Sequence, residues 1–204
     1  MDEFWLAWAI LACLWGQYSG SAETQAQADA IQARDHSVKG LLDNLKSRAK
    51  RTESLIPDPD DYKQQIVQER GVTLALLVHL SRADARSFPG GKRIKQRSEP
   101  LEVHHIFPRA YLNKNSSESQ SYQADRLGNL MILYRSDNEH LSDDPPASYL
   151  ADCRQEDLEN HFIPSEMDLW SIDKYNEFCE ARETLLAEGV GNLLRTLGIK
   201  QNGN

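Results

Sequence analysis

Cysteine is scarce: Cys13, Cys153 and Cys179 are the three in 204 residues, widely separated and odd in number. No C-x-x-C pair exists, which argues against a zinc knuckle or a disulfide framework, and a reducing cytosol fits best. A surplus of positive charge is also missing. The net charge of −8 would repel a polyanion if spread evenly, so indiscriminate coating of nucleic acid is disfavoured while a local basic groove is not. Long apolar runs are absent as well. The run from Phe4 to Trp15 holds twelve apolar residues, too few to span a bilayer, and no membrane partner is expected. Asp2 and Glu3 stand where an export signal carries positive charge, so this run reads as a buried helix. Its tryptophans, Trp5, Trp8 and Trp15, imply a substantial packing partner.

What is present is ordinary. At 40% hydrophobic and 26% charged residues, the chain has the composition of a soluble globular protein with one sizeable core or two small ones. The first half reads as helical. Residues 4–16 form one helix stopped near Gly16, and helical character resumes by about Ala26. "SVKGLLDNLKSRAKR" is a short amphipathic helix, and "IPDPDD" is a turn. "YKQQIVQERGVTLALLVHLSRAD" is helix again, interrupted or bent near Gly71, with His79 packed on its apolar part. The final stretch, "SIDKYNEFCEARETLLAEGVGNLLRTLG", is an amphipathic helix or pair with a break near Gly189–Gly191. This divides the chain into a helical region over 1–85, a central segment over 86–150 and a C-terminal helical region over 151–204.

The central segment opens with "RSFPGGKRIKQRSEP", which places Arg86, Lys92, Arg93, Lys95 and Arg97 close together. Two readings stand side by side: a solvated basic loop, or a phosphate-contacting one. The run ends just before "LEVHHI", a β-branched and apolar run closed by Pro108 and read as a strand. Successive side chains on a strand point to opposite faces, so His104 and His105 cannot both enter one core. A catalytic account places them at a strand end, where local twist lets both rings reach one cleft. A second strand is expected at Leu130–Tyr134. A helix follows it, with Ser136 or Asp137 as N-cap, and Asp143 and Asp144 fall in a turn ahead of Pro145 and Pro146.

The order His-His, Asn129, Asn138 resembles the HNH, or ββα-metal, nuclease motif. "LEVHHIFPRAYL", "RLGNLMIL", "SDNEHLSDDPPASYL", "HFIPSEMDLW" and "YNEFCEARETLL" resemble the C-terminal half of GmrSD-type, modification-dependent restriction proteins, and "WGQYSGSAETQAQAD" is similar to a stretch upstream of the motif there. The fold implied is mainly α with a small β-hairpin, a helical domain enclosing a ββα-metal (HNH) motif. By this resemblance His105 is the general base, Asn129 orients its ring, and His104 and Asn138 ligate a metal. Two neutral ligands hold a cation weakly, which favours Mg²⁺ or Mn²⁺ taken up with substrate. DNA is the implied substrate, in restriction of foreign or modified DNA and phage defence. Arg93, Lys95, Arg97 and Arg109 are the candidates for contact with it. Glu102 shares the strand face of His104 and either supports the metal shell or lies exposed. His140 is an alternative ligand, and His161 has no assigned role. Family members carry a long N-terminal domain associated with nucleotide binding and sensing. Nothing here resembles it, so a separate sensor or NTP-binding domain or subunit is an expected partner, and the alternative function is a partner-dependent nuclease subunit or a DNA-binding or regulatory fragment inactive without that domain. The family stretch also has arginine where Gln17 stands.

Overall fold

The computed structural model describes residues 3–19, 21–34, 38–51, 54–116 and 121–199. Ser37, with which the third expected helix opens, lies outside them. The protein is mostly helical with one two-stranded antiparallel sheet, the mainly α class with a small hairpin expected above. Contacts divide the chain into two compact units, Met1–Ala75 with Val190–Asn204, and Leu76–Gly189.

The first unit contains α1 (Glu3–Leu14), α2 (Ala22–Arg34), α3 (Val38–Ala49), α4 (Pro59–Lys63), the start of α5 (Glu69–Arg82) and the end of the C-terminal helix. Along α1, Ala7, Ile10, Leu11 and Leu14 are fully buried, the three-and-four spacing of one helical face. The tryptophans fare unequally. Trp15 donates Nε1 to the Leu55 carbonyl at 2.8 Å and takes the Arg51 guanidinium over its ring at 4.9 Å. Trp5 is 40% exposed, covered on one side by the edge of Trp8. Gln17 is buried and donates to the buried Asp29 carboxylate at 2.8 Å. It supplies a hydrogen bond there, but not the charge an arginine would bring.

The helix expected from Tyr62 onward is interrupted earlier than the sequence suggested. Asp58 caps α4 by accepting from the Asp60 and Asp61 amides, while Asp61 accepts from the Asp58 amide at 3.0 Å, a reciprocal box that starts a helix behind Pro59. That helix ends within two turns, with Gln65 at φ +53°, and α5 begins afresh at Glu69. Gly71 lies in the first turn of α5 and bends nothing. An added Cβ there would stand 2.2 Å from the Leu14 amide nitrogen, so the glycine allows two backbones to approach.

The second unit holds the rest of α5, β1 (Leu101–His105), α6 (Arg109–Asn115), β2 (Leu130–Tyr134), α7 (Arg135–Leu141), α8 (Pro146–Tyr149), α9 (Gln155–Asn160) and most of α10 (Tyr175–Thr196). The strands pair antiparallel, Glu102 opposite Leu133, His104 opposite Met131 and His105 opposite Leu130. Met131 and Leu133 join Ile106, Phe107, Phe178 and Trp170 in the apolar core. The segment between the strands opens with a helix, α6, behind Pro108.

Two further expectations are corrected. The sequence after β2 places a cap at Ser136 or Asp137, but α7 starts at Arg135 with Tyr134 as its N-cap. The capping acceptor comes from elsewhere in the chain: the Glu99 carboxylate accepts from the Ser136 amide and hydroxyl at 3.2 and 2.9 Å. Asp137 instead accepts from the Ser87 hydroxyl and the Gly90 amide, tying the turn before β1 to α7. The second correction is that α10 runs unbroken through Gly189 and Gly191. A Cβ at Gly189 would lie 2.2 Å from the Phe162 ring; the residue yields space rather than ending the helix.

Candidate active site

The chain before Asn129 is held from three directions. Arg126 donates to the Glu183 carboxylate at 3.2 and 2.6 Å, and Glu183, fully buried on α10, also accepts the Gly128 amide at 3.2 Å. Gly128 passes so close to α10 that a Cβ would stand 2.4 Å from the Cys179 carbonyl oxygen. Arg182, fully buried one residue earlier, donates to the carbonyls of Gly128 at 3.0 Å, Leu130 at 2.7 Å and His161 at 3.2 Å. Among the described residues no carboxylate pairs with its guanidinium, and burial lowers its pKa to about 10.

This anchoring sets Asn129, which is completely buried. Its Oδ1 accepts the Phe107 amide at 2.7 Å, and its Nδ2 donates to the carbonyls of Phe107 at 3.0 Å and Ala124 at 2.8 Å. These contacts use both hydrogens of the amide nitrogen and one of the two lone pairs of Oδ1, and none of them reaches the His105 ring that Asn129 was expected to orient. Asn129 instead clamps the chain two residues past His105 against the segment that precedes β2.

His104 and His105 leave β1 on opposite faces, as strand geometry requires. His104 is 3% exposed, on the face of Met131. Its Nδ1 lies 2.7 Å from Asn138 Oδ1, and its Nε2 is 3.5 Å from the Tyr149 hydroxyl, which itself donates to the Ile106 carbonyl at 2.9 Å. Burial lowers the His104 pKa, with the Asn138 contact working the other way, so the ring is held neutral. Asn138 does not choose its orientation freely: its Nδ2 donates to Glu102 Oε2 at 2.9 Å. A carboxylate can only accept, so the amide nitrogen must face Glu102 and the amide oxygen must face His104. Arg135 in turn holds Glu102 at 2.7 Å, and hydrogen bonds from Asn138 first and Arg135 second keep its carboxyl below the usual range.

His105 has different company. Its Nε2 lies 2.9 Å from Asp125 Oδ1 and 3.3 Å from Arg109 Nε, and Arg109 Nη2 reaches the same carboxylate oxygen at 2.5 Å. The hydrogen-bond partners of the two rings share no residue. Asp125 leaves no mark in the sequence, since neither periodicity nor a spacing rule links it to His105. Arg182 and Glu183 left a signal that went unread. They stand on the helical face of Tyr175, Phe178, Cys179 and Leu186, all fully buried, and two charges on an apolar face mark a buried polar network.

The basic run is neither a free loop nor one cluster. A short 3₁₀ turn covers Ile94–Gln96. Arg93 and Lys95 both pair with Asp84, the lysine at 2.7 Å, and Lys92 pairs with Glu99 at 2.5 Å. Arg97 is exposed, at φ +47°. His140 is exposed and lines a depression of about 380 Å³ with Lys92 and Asp137; among the described residues no hydrogen bond or ring contact joins it to His104. His161 is buried, with Nε2 donating to the Arg86 carbonyl at 2.9 Å. Among the described residues no three His, Cys, Asp or Glu side chains gather to hold a metal ion, and no helix is long and apolar enough to cross a membrane.

The family model of GmrSD restriction endonucleases, C-terminal domain, matches residues 59–188, well over half of the chain and all of the site just described. No curated protein and no solved structure matches.

Proposed function

The chain belongs to the family of GmrSD restriction endonuclease C-terminal domains, and from that premise we propose that it is a metal-dependent HNH (ββα-metal) endonuclease. Its reaction is hydrolysis of DNA phosphodiester bonds, in restriction of foreign or modified DNA. The observation that carries this reading is the approach of His104 Nδ1 and Asn138 Oδ1 to 2.7 Å from residues 34 positions apart. A ring nitrogen and an amide oxygen aimed at each other need a proton or a cation between them, and a neutral N,O pair suits Mg²⁺ or Mn²⁺. His104 and Asn138 would hold that ion, with Glu102 fixing the amide so that its oxygen faces inward. Once bound with substrate, the ion supplies positive charge to a phosphate oxygen and to the leaving oxygen.

The remaining roles belong to side chains of this chain. His105, at the end of β1, takes the proton from the attacking water. The new bond from water oxygen to phosphorus forms as the bond to the leaving sugar oxygen breaks. Arg109, exposed beside His105, is placed to take a phosphate oxygen. Arg93, Lys95 and Arg97 are further candidates for backbone phosphates. Asn129 holds the peptide after His105 and so keeps the base at a fixed height. The test is cleavage of plasmid DNA by the purified protein with Mg²⁺ or Mn²⁺ and with EDTA. Nicking or linearisation that disappears in EDTA is expected; undiminished cleavage in EDTA overturns the metal assignment.

One observation favours a second reading, a nuclease that cuts only with a separate sensor or NTP-binding partner. Arg93, Lys95, Lys92 and Arg109 each face a carboxylate of this chain, and the net charge is −8, so a partner would have to supply much of the attraction for DNA. Inactivity with every metal supports it.

A further inference from the structure

We infer that Asp125 is the positioning residue of His105, holding the ring in the Nε2–H tautomer so that Nδ1 is the lone pair that takes the proton. This rests on the nuclease reading above and names a residue that reading does not require. The geometry begins with the contact of 2.9 Å between His105 Nε2 and Asp125 Oδ1. An ionised carboxylate can only accept, so the nitrogen facing it carries the hydrogen. A neutral imidazole has one N–H and one lone pair, so fixing the first fixes the second.

A rival arrangement has Arg109 donating Nε–H to an unprotonated Nε2. That contact is longer, 3.3 Å, and Arg109 Nη2 is already engaged by the same Asp125 oxygen at 2.5 Å. The carboxyl of Asp125 is held below the ordinary carboxylate range, first by its hydrogen bond to His105 and then by the Arg109 charge, so it remains an acceptor.

An aspartate that is 63% exposed is usually a weak partner, because a mobile chain blunts the interaction. Here the backbone on both sides is fixed. The Gln123 carbonyl accepts from the Tyr175 hydroxyl at 2.6 Å, the Ala124 carbonyl from Asn129 at 2.8 Å, and Arg126 is locked to the buried Glu183. The carboxylate is exposed, but the peptide carrying it is pinned to the core. Asn129 and Asp125 thus divide the work of orientation, one on the backbone and one on the ring.

The experiment is nitrogen-15 NMR of the His105 imidazole, identified by its loss in His105→Ala, at a pH where the ring is neutral. It is run on wild type, Asp125→Ala and Asp125→Glu, with cleavage kinetics and thermal melts alongside. Wild type should show the Nε2–H tautomer alone, and Asp125→Ala a mixture of tautomers. In the same variant kcat should fall by about 10- to 100-fold, the usual scale for losing an orienting partner, with KM and melting temperature nearly unchanged. Asp125→Glu should recover part of both the tautomer and the rate. An unchanged tautomer in Asp125→Ala, or a loss confined to KM, overturns the inference. If wild type cleaves no DNA with any metal, the reading of a nuclease active on its own gives way to the partner-dependent one, and the tautomer spectra still decide what Asp125 does.

Discussion

Two adjacent imidazoles on one strand have opposite surroundings, and their variants should part accordingly. His105→Ala removes a partly exposed ring whose polar partners are exposed side chains, so the melting temperature should change little. The rate should fall by about 10²–10⁴ for loss of a general base, and added Mn²⁺ should not restore it. His104→Ala removes a 3% exposed ring packed edge-on to Tyr149 and leaves Asn138 Oδ1 without its partner. It should both melt earlier and respond to Mn²⁺. A metal titration of cleavage rate beside melts of both variants decides this; identical rescue would remove the separation of roles.

A third histidine gives the molecule a pH limit unconnected with catalysis. Burial brings His161 down from 6.5 to about 4, with Arg182 and His79 adding to the effect and the Arg86 carbonyl and Asp157 opposing it. The unfolded chain therefore binds the extra proton between those two values, and stability rises with pH across that window. It is fully present above 6.5 and is lost as pH falls toward about 4. The span corresponds to roughly 3 kcal/mol. Denaturant unfolding from pH 7 to 4 should show this slope in wild type and a flatter one in His161→Gln; equal slopes would assign the acid sensitivity elsewhere.

Among the elements, the joint between α10 and the start of β2 carries the most. Gly128→Ala would drive a methyl to 2.4 Å from the Cys179 carbonyl, where both partners are backbone and neither can swing away. Arg182→Ala would strip donors from four buried carbonyls and should cost about 3–5 kcal/mol. Both should lower the denaturation midpoint strongly and take cleavage with them, whereas Thr184→Ala, at a half-buried position on the same helix, should do neither. Wild-type stability for Gly128→Ala would show that the joint gives way more easily than this geometry allows.

The same joint marks where sequence reasoning reached and where it stopped. The strand pair was legible because β-branched and apolar runs with a closing proline have a local cause. His104 and Asn138 were singled out through the family's spacing, and the fold brings them within 2.7 Å of each other. Glu99, Asp125 and Tyr149 were not, because each acts across more than fifteen residues through an angle that only the folded backbone sets. The cap of α7 failed for a related reason: a cap sought next door was supplied by Glu99. Gly71, Gly189 and Gly191 misled because a helical glycine looks like a break in sequence, whereas Gly71 and Gly189 here give room to a neighbouring backbone or ring.

For the molecule as a whole the question is how a chain of net charge −8 approaches a polyanion. Lys92, Arg93, Lys95, Arg109 and Arg135 each have a carboxylate partner. Such exposed pairs are weak, about 0–1 kcal/mol, so a phosphate can take the carboxylate's place, but the carboxylate it displaces stays nearby and repels it. Asp84 is the clearest case, since it holds Arg93 and Lys95 together. Asp84→Asn keeps the shape, removes the charge and releases both cations. In a His105→Ala background, which prevents cleavage, it should tighten binding of a fluorescent DNA duplex several-fold. The plot of log affinity against log salt should also steepen by about one to two, one step for each cation newly free to meet a phosphate. Fluorescence anisotropy across a salt series measures both quantities. An affinity that stays the same, with an unchanged slope, would mean that Arg93 and Lys95 lie off the path of the DNA and belong to the fold of the turn alone.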